Sequence, residues 1–283
     1  MTLVITGATG HLGLLVVESL LARGTAASDI ISTGRNVDAL SDLAARGVAV
    51  AELDYTRPQT VAAVVKPGDT LLLVSSSAVG ERVSQHVNVI EAAKTAGVAR
   101  IVYTSAPAAT TSELVLAPEH KATEEALVAS GVPFTILRNG WYTENYAGEI
   151  EKGRETGAIV ASVGDGRVAS ASRKDYADAA AVVLTTEGHE GAVYELSGDE
   201  AWTFDDLAAA IGEIVGREVV YNRLTPGEHA ALLASFGLDE GTVGFVVALD
   251  GNIRDGLLGV TTGDLSKLIG RPTTPLVEGL AAA

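Results

Sequence analysis

The strand-like run Leu3-Val4-Ile5-Thr6 passes directly into Gly7-Ala8-Thr9-Gly10-His11-Leu12-Gly13, and a helical stripe of Leu12, Leu15, Val16 and Leu20 starts inside that glycine run. Three glycines spaced three apart between a strand and a helix let the backbone turn tightly and approach a pyrophosphate. They also aim unpaired helix N-terminal N–H groups at its charge. Glycine is common here, 31 of 283 residues, so the spacing alone decides little. Its place does more: a strand before it, an apolar helix after it, and a second strand at 30–33 where a βαβ unit needs one make it a dinucleotide-binding signature.

Strands and helices then alternate. Strands are expected at 48–53, 70–74, 100–103 and 134–137, separated by helices at 37–46, 58–65, 82–96 and 119–130. The strands are nearly continuous apolar runs, as expected when both sheet faces are covered. The pattern predicts an α/β fold with a doubly wound parallel sheet, Rossmann-like, over residues 1–146. After residue 145 the alternation becomes irregular: a helix at 149–156, extended segments at 159–163 and 168–172, a helix at 176–186, a strand at 193–196, then two or three helices and a strand at 219–224. Residues 147–283 are expected to form mainly a smaller lobe covering the substrate, with about 173–198 returning to the first lobe.

The formal net charge of −16, with no basic cluster, opposes binding to nucleic acid or an anionic membrane. No stretch approaches eighteen uninterrupted apolar residues, and the first strand begins at residue 3, so a cytoplasmic protein without a cleaved signal is expected. The chain has no cysteine, and its five histidines (His11, His86, His120, His189 and His229) lack ligand spacing, which argues against a metal site. A homodimer is left open.

In an open parallel sheet the ligand lies beyond the carboxyl ends of the strands. Those exits are polar here: Thr6, Arg35, Asp54, Ser75-Ser76-Ser77, Thr104, Ser105 and Asn139. An NAD site wants a carboxylate at the end of the second strand for the ribose 2′-hydroxyl, whereas an NADP site wants a cation for the 2′-phosphate. Thr33-Gly34-Arg35-Asn36 offers the cation and no carboxylate, so NADP(H) is the expected cofactor; the alternative for Arg35 is a solvated loop arginine. Asp54 suits either the adenine amino group or the cap of the next helix. Ser75, Ser76 and Ser77 suit either the ribose and nicotinamide side or a helix cap. Thr6, Gly7, Thr9, Gly10, His11, Leu12, Gly13 and Thr104 join them as expected cofactor contacts.

Taken with Thr6 to Gly13, Arg35-Asn36 and Ser75-Ser76-Ser77, several further motifs carry a resemblance. They are Tyr103-Thr104-Ser105, Glu119-His120, Arg138-Asn139-Gly140-Trp141-Tyr142-Thr143-Glu144-Asn145-Tyr146, Gly164-Asp165-Gly166 and Leu265 to Thr274. Together they are similar to a type 2 NAD(P)H:quinone oxidoreductase, a branch of the NmrA-like atypical short-chain dehydrogenase/reductase group. The likeness covers essentially the whole chain, and the 139–146 run is far more specific than the glycine motif. It implies NADPH in the cleft and a small-molecule quinone reduced by hydride transfer. Ordinary short-chain reductases carry a tyrosine and, four residues on, a lysine on the helix after the fifth strand; the matching positions here are His120 and Glu124, so that pair is missing.

A quinone tolerates this loss. Hydride addition yields a delocalised, phenolate-like anion, and a phenol's reference pKa is about 10, so water or a weak donor completes protonation. Positioning then carries most of the catalysis. Asn139, Trp141, Tyr142, Asn145 and Tyr146 are the candidates to contact substrate or nicotinamide, with Asn139 and Tyr142 also assigned to catalysis. Trp141 and Tyr142 as core packing is the alternative. His120 is either a proton donor or a helix histidine paired with Glu124 or a backbone group. Two other functions fit the same residues: a redox-sensing regulator that binds NADP(H) without turnover, and a reductase of other activated double bonds.

Overall fold

In the computed structural model, which describes residues 2–283, the alternation continues to the end of the sixth strand. It runs β1 (Leu3–Ile5), α1 (His11–Ala22), β2 (Ile30–Gly34), α2 (Ser41–Ala45), β3 (Ala49–Glu52), α3 (Pro58–Val64), β4 (Thr70–Leu73), α4 (Arg82–Ala96), β5 (Arg100–Ser105), α5 (Ala117–Ser130) and β6 (Phe134–Asn139). Next come α6 (Ala147–Thr156), β7 (Ala158–Ala161), β8 (Arg167–Val168), α7 (Arg173–Thr185), β9 (Val193–Leu196) and β10 (Trp202–Thr203). The chain ends with α8 (Phe204–Val215), β11 (Val220–Arg223), α9 (Pro226–Ser235), α10 (Glu240–Arg254), α11 (Asp264–Ile269) and α12 (Leu276–Ala281).

Seven strands form one sheet in the order β3-β2-β1-β4-β5-β6-β9. The pairs from β3 to β6 are parallel, and Val4 sits between Ile31 and Leu71 in register. Strand order reverses between β1 and β4, which opens a crevice at their carboxyl ends. The doubly wound parallel architecture read from the sequence is therefore the observed one. Core residues on the α3 and α4 side include Val4, Val61, Leu71, Leu73, Val89, Ile90, Ile101 and Tyr103, all fully or almost fully buried. On the other side α1 packs on α7, joined by a 2.6 Å hydrogen bond from Ser19 Oγ to Asp178.

The chain forms two compact units. The first comprises residues 2–110, 118–139 and 173–195; the second comprises 111–117, 140–172 and 196–283. Residues 140–146 thus belong to the second unit, although the sequence pattern ties them to the first. The reason lies in their partners. Ala171 bonds Trp141 O and Thr143 N through its backbone, and Gly140 N donates to Leu196 O. In the second unit β10 runs antiparallel to β8, and β11 runs parallel to β7.

Five helices follow Trp202 where two or three were expected. Three of them are opened by local signals the apolar periodicity does not contain. Thr203/Asp206 and Thr225/Glu228 form capping boxes, and Asp239 caps α10. Among the described residues no helix is long and apolar enough to cross a membrane. No group of three or more His, Asp or Glu side chains among them could hold a metal ion.

Candidate functional site

The loop from β1 to α1 is shaped by its glycines. Gly7 has φ +61°, a left-handed conformation that a side chain would strain. Gly10 N donates to Gly7 O at 2.9 Å, and Ala8 N donates to Thr33 O at 2.8 Å, pinning the loop to β2. A Cβ on Gly13 would lie 2.4 Å from Gly7 O, so only glycine lets α1 start this close to the turn. A Cβ on Gly34 would likewise lie 2.5 Å from Thr9 Cγ2. Gly10 caps α1 without a side-chain hydrogen bond, and the first turn holds no acidic residue. The N-terminal amides therefore suit an anionic group.

A pocket of about 310 Å³ opens over this loop. Gly7, Thr9, Gly10, His11, Leu12, Gly13, Arg35, Asp54, Ser75, Ser76 and Ser77 line it, as the sequence predicts for a dinucleotide. Gly34, Leu53, Tyr55, Thr56, Val74, Ala78 and Gln85 line it too. Tyr55 is the main lining residue that sequence reasoning missed. Its position directly after Asp54 at a strand exit was the available signal. The phenol bonds Thr6 Oγ1 and donates to Val74 O at 2.8 Å, and burial raises its pKa above the usual range.

Two predicted contacts lie beneath the pocket and outside its lining. Thr6 is fully buried; its hydroxyl donates to Leu72 O at 2.9 Å and accepts from Val74 N at 3.0 Å. Thr104 is 1% exposed and accepts from Ser75 N at 2.9 Å. Each is a short hydroxyl strap between adjacent strands, a role that a strand-exit pattern does not distinguish from ligand contact. Asp54 does act on the segment before α3: Oδ1 accepts from Thr56 N and Oγ1 at 2.9 and 2.8 Å. Those bonds, with Arg57 beside it, hold the Asp54 carboxyl below its usual range. Arg35 is exposed at the pocket edge with no ion-pair partner among the described residues.

On α5 the observed partner of His120 differs from the expected one. His120 is 6% exposed and its Nδ1 lies 2.8 Å from the Tyr103 hydroxyl, so its partner is neither Glu124 nor a backbone group. Burial, aided by the Arg82 charge, pushes its pKa down to about 3. The ring is therefore held neutral at neutral pH, which favours the helix-histidine alternative for His120 over the proton-donor one. Glu124 is spent elsewhere. It accepts Ser105 Oγ at 2.6 Å and Arg138 Nη2 at 2.7 Å, while Arg138 Nη1 reaches Glu195 at 2.7 Å.

Asn139 ends β6 in the first unit and is 5% exposed. In the second unit Trp141 and Tyr142 are half-buried, Asn145 is exposed and Tyr146 is buried. Tyr146 stands edge-on to Trp202 and Phe204, with ring centroids 5.1 and 5.7 Å away. Burial raises its phenol pKa. Tyr146 thus packs in an aromatic cluster of the second unit.

Comparisons with known proteins agree with this geometry. A family model described as NAD(P)H-binding matches residues 7–187. The chain is 46% identical over 277 residues to quinone oxidoreductase 2 of Escherichia coli (strain K12), covering 98% of this chain and 96% of that one. The crystal structure of the E. coli NADPH-dependent quinone oxidoreductase complexed with NADPH matches with a TM-score of 0.94, 46% identity and 99% of both chains covered. The Citrobacter sp. triphenylmethane reductase complexed with NADP(H) matches with a TM-score of 0.93, 38% identity and 100% of both chains covered. The match begins at the glycine turn over the pocket and runs through α7: the chain belongs to the NAD(P)H-binding family.

Proposed function

We propose that this protein is an NADPH-dependent quinone reductase that converts its acceptor to the hydroquinone by two-electron hydride transfer. The observation that carries this reading is 46% identity over 98% of the chain to the E. coli quinone oxidoreductase. When bound, NADPH supplies the hydride, and one proton from water completes the hydroquinone. The chain's own residues bind and orient. The amides of the glycine turn and of the start of α1 hold the pyrophosphate. Arg35 takes the 2′-phosphate, and Asp54 accepts from the adenine amino group. Ser75, Ser76 and Ser77 border the ribose and nicotinamide side, while Thr6 and Thr104 fix their strands from beneath.

Asn139 and Tyr142 serve the reacting end as hydrogen-bonding groups, and Trp141 and Asn145 join them in contacting a flat acceptor. The second unit is assigned the substrate-covering role. A formal charge of −16 opposes binding to nucleic acid and anionic membranes, and the cytoplasm is the location assigned in this reading. The test is steady-state NADPH oxidation with and without a small benzoquinone. Strong stimulation is expected; native protein that binds NADPH but shows none would overturn the reading in favour of a sensor. The likeness to a triphenylmethane reductase favours a second reading, reduction of other conjugated flat acceptors. A panel of quinones and conjugated enones separates the two.

A further inference from the structure

We propose that His86 is a positioning residue for the nucleotide pocket, coupling its Ser76 wall to α5 through a one-directional hydrogen-bond chain. The inference rests on the reading that the pocket holds NADP(H). Ser76 lines the pocket, and every polar group it has is held. Its N–H donates to His86 Nε2 at 2.9 Å, its carbonyl accepts from Arg82 Nε at 2.6 Å, and its hydroxyl donates to Gln85 Oε1 at 2.6 Å. A backbone N–H can only donate, so Nε2 must carry a lone pair. The proton of the neutral ring is then on Nδ1, which lies 3.0 Å from Thr123 Oγ1. Thr123 donates onward to Glu119 O at 2.9 Å.

A second route reaches the same residue of α5. Arg82 Nη1 bonds Glu119 Oε2 at 2.9 Å, and Gly80 N donates to Glu119 Oε1 at 2.9 Å. The two routes close a ring running Ser76, His86, Thr123, Glu119, Arg82 and back to Ser76. On this helix ordinary short-chain reductases carry their acid pair; here its first turns brace the loop after β4. The ring works only with His86 neutral and in one tautomer. His86 has no exposed surface, and the rings of Tyr55 and Tyr103 stand edge-on to it. Burial, then the neighbouring His120 and Arg82, push its pKa down to about 3, so the neutral form holds at working pH.

The first test needs no variant. Long-range ¹H–¹⁵N NMR of the native protein should show His86 as the Nδ1–H tautomer at pH 6–8, the form that free histidine disfavours. An Nε2–H signature would overturn the chain outright. The second test is calorimetric titration with NADPH, with native melting behaviour as the folding control. His86→Leu and Thr123→Val should raise Kd about tenfold, whereas His86→Gln, which sets a carbonyl oxygen where Nε2 accepts, should restore most of the affinity. The kinetic loss should fall on KM for NADPH, leaving KM for the quinone in place. Folded variants that bind as tightly as native protein would refute the relay, and so would a glutamine that rescues nothing. Failure of the native protein to bind NADPH would instead refute the nucleotide reading, and the tautomer experiment would then be judged on its own result.

Discussion

Acid should weaken this fold through two histidines, and the size of the effect follows from their burial. His86 is fully buried and His120 is 6% exposed, and both have pKa values pushed down to about 3. In the unfolded chain each returns to about 6.5, so between those values the unfolded state binds a proton that the folded state refuses. Their stabilising contribution is complete above about pH 6.5 and is lost as pH falls toward about 3. At pH 5 the folded rings are still neutral, so the loss depends only on the unfolded value: 1.5 pH units at 1.36 kcal/mol each, or about 2 kcal/mol per histidine. Together they remove about 4 kcal/mol between pH 7 and 5, a large share of a typical stability of about 5–15 kcal/mol.

Carboxylates do not compete in that window. Asp54, Asp206, Glu228 and Asp239 have lowered folded values, so their contribution is present above their ordinary range near pH 4 and is lost only as pH falls below it. Urea unfolding at pH 7 and 5 of native protein, His86→Gln and His120→Gln provides the measurement. Each single variant should lose about 2 kcal/mol of the native chain's pH sensitivity, while His189, whose pKa is also lowered by burial and Arg100, adds a contribution common to all three proteins. Parallel losses in all three proteins, or a native stability that does not change between the two pH values, would refute the burial argument.

Arg35→Ala should raise KM for NADPH about ten- to a hundredfold while changing KM for NADH little, since one charge-assisted contact is worth about 1.5–3 kcal/mol; equal changes for both coenzymes would remove Arg35 from the 2′-phosphate. Gly13→Ala drives a Cβ to 2.4 Å from Gly7 O, so NADPH binding measured by calorimetry should be lost and the melting midpoint should fall by an amount corresponding to about 1–3 kcal/mol. Glu124→Gln leaves the half-buried Arg138 guanidinium short of one charge partner, and urea unfolding should show a loss of about 3 kcal/mol. Tyr142→Ala should lower quinone turnover with NADPH affinity retained, read by comparing kcat with calorimetric Kd.

The parts of this protein that could be read from its sequence are those fixed by local chemistry. The glycine turn demands a left-handed backbone at Gly7 and a close approach of α1 at Gly13, and those demands are written in the glycine positions. The period of two or 3.6 says which face of an element is buried, and His120, Thr123, Glu124 and Leu127, which share one face of α5 at that spacing, are all buried. Periodicity does not say what stands opposite. Tyr103 opposite His120, and Arg138 opposite Glu124, come from β5 and β6 and are set by tertiary packing. Thr6 and Thr104 illustrate the same limit: a hydroxyl at a strand exit looks alike whether it reaches a ligand or, as observed here, the neighbouring strand.

The missing tyrosine and lysine are best understood through those opposing partners. Arg138 enters the end of β6 with a guanidinium that is 13% exposed, and two carboxylates, Glu124 and Glu195, keep it charged and paired. A lysine at position 124 would put a second cation where Glu124 now meets that guanidinium, leaving Glu195 to balance both in a poorly hydrated site, an arrangement that costs several kcal/mol. The ordinary acid pair and Arg138 are therefore mutually exclusive at this strand end. Tyrosine at 120 would face a related conflict, because the adjoining space is already taken by the Tyr103 phenol, 2.8 Å from the imidazole it would replace. The helix has exchanged an acid for a brace, and a quinone, whose reduced form needs only a weak proton source, is the acceptor class for which that exchange costs least.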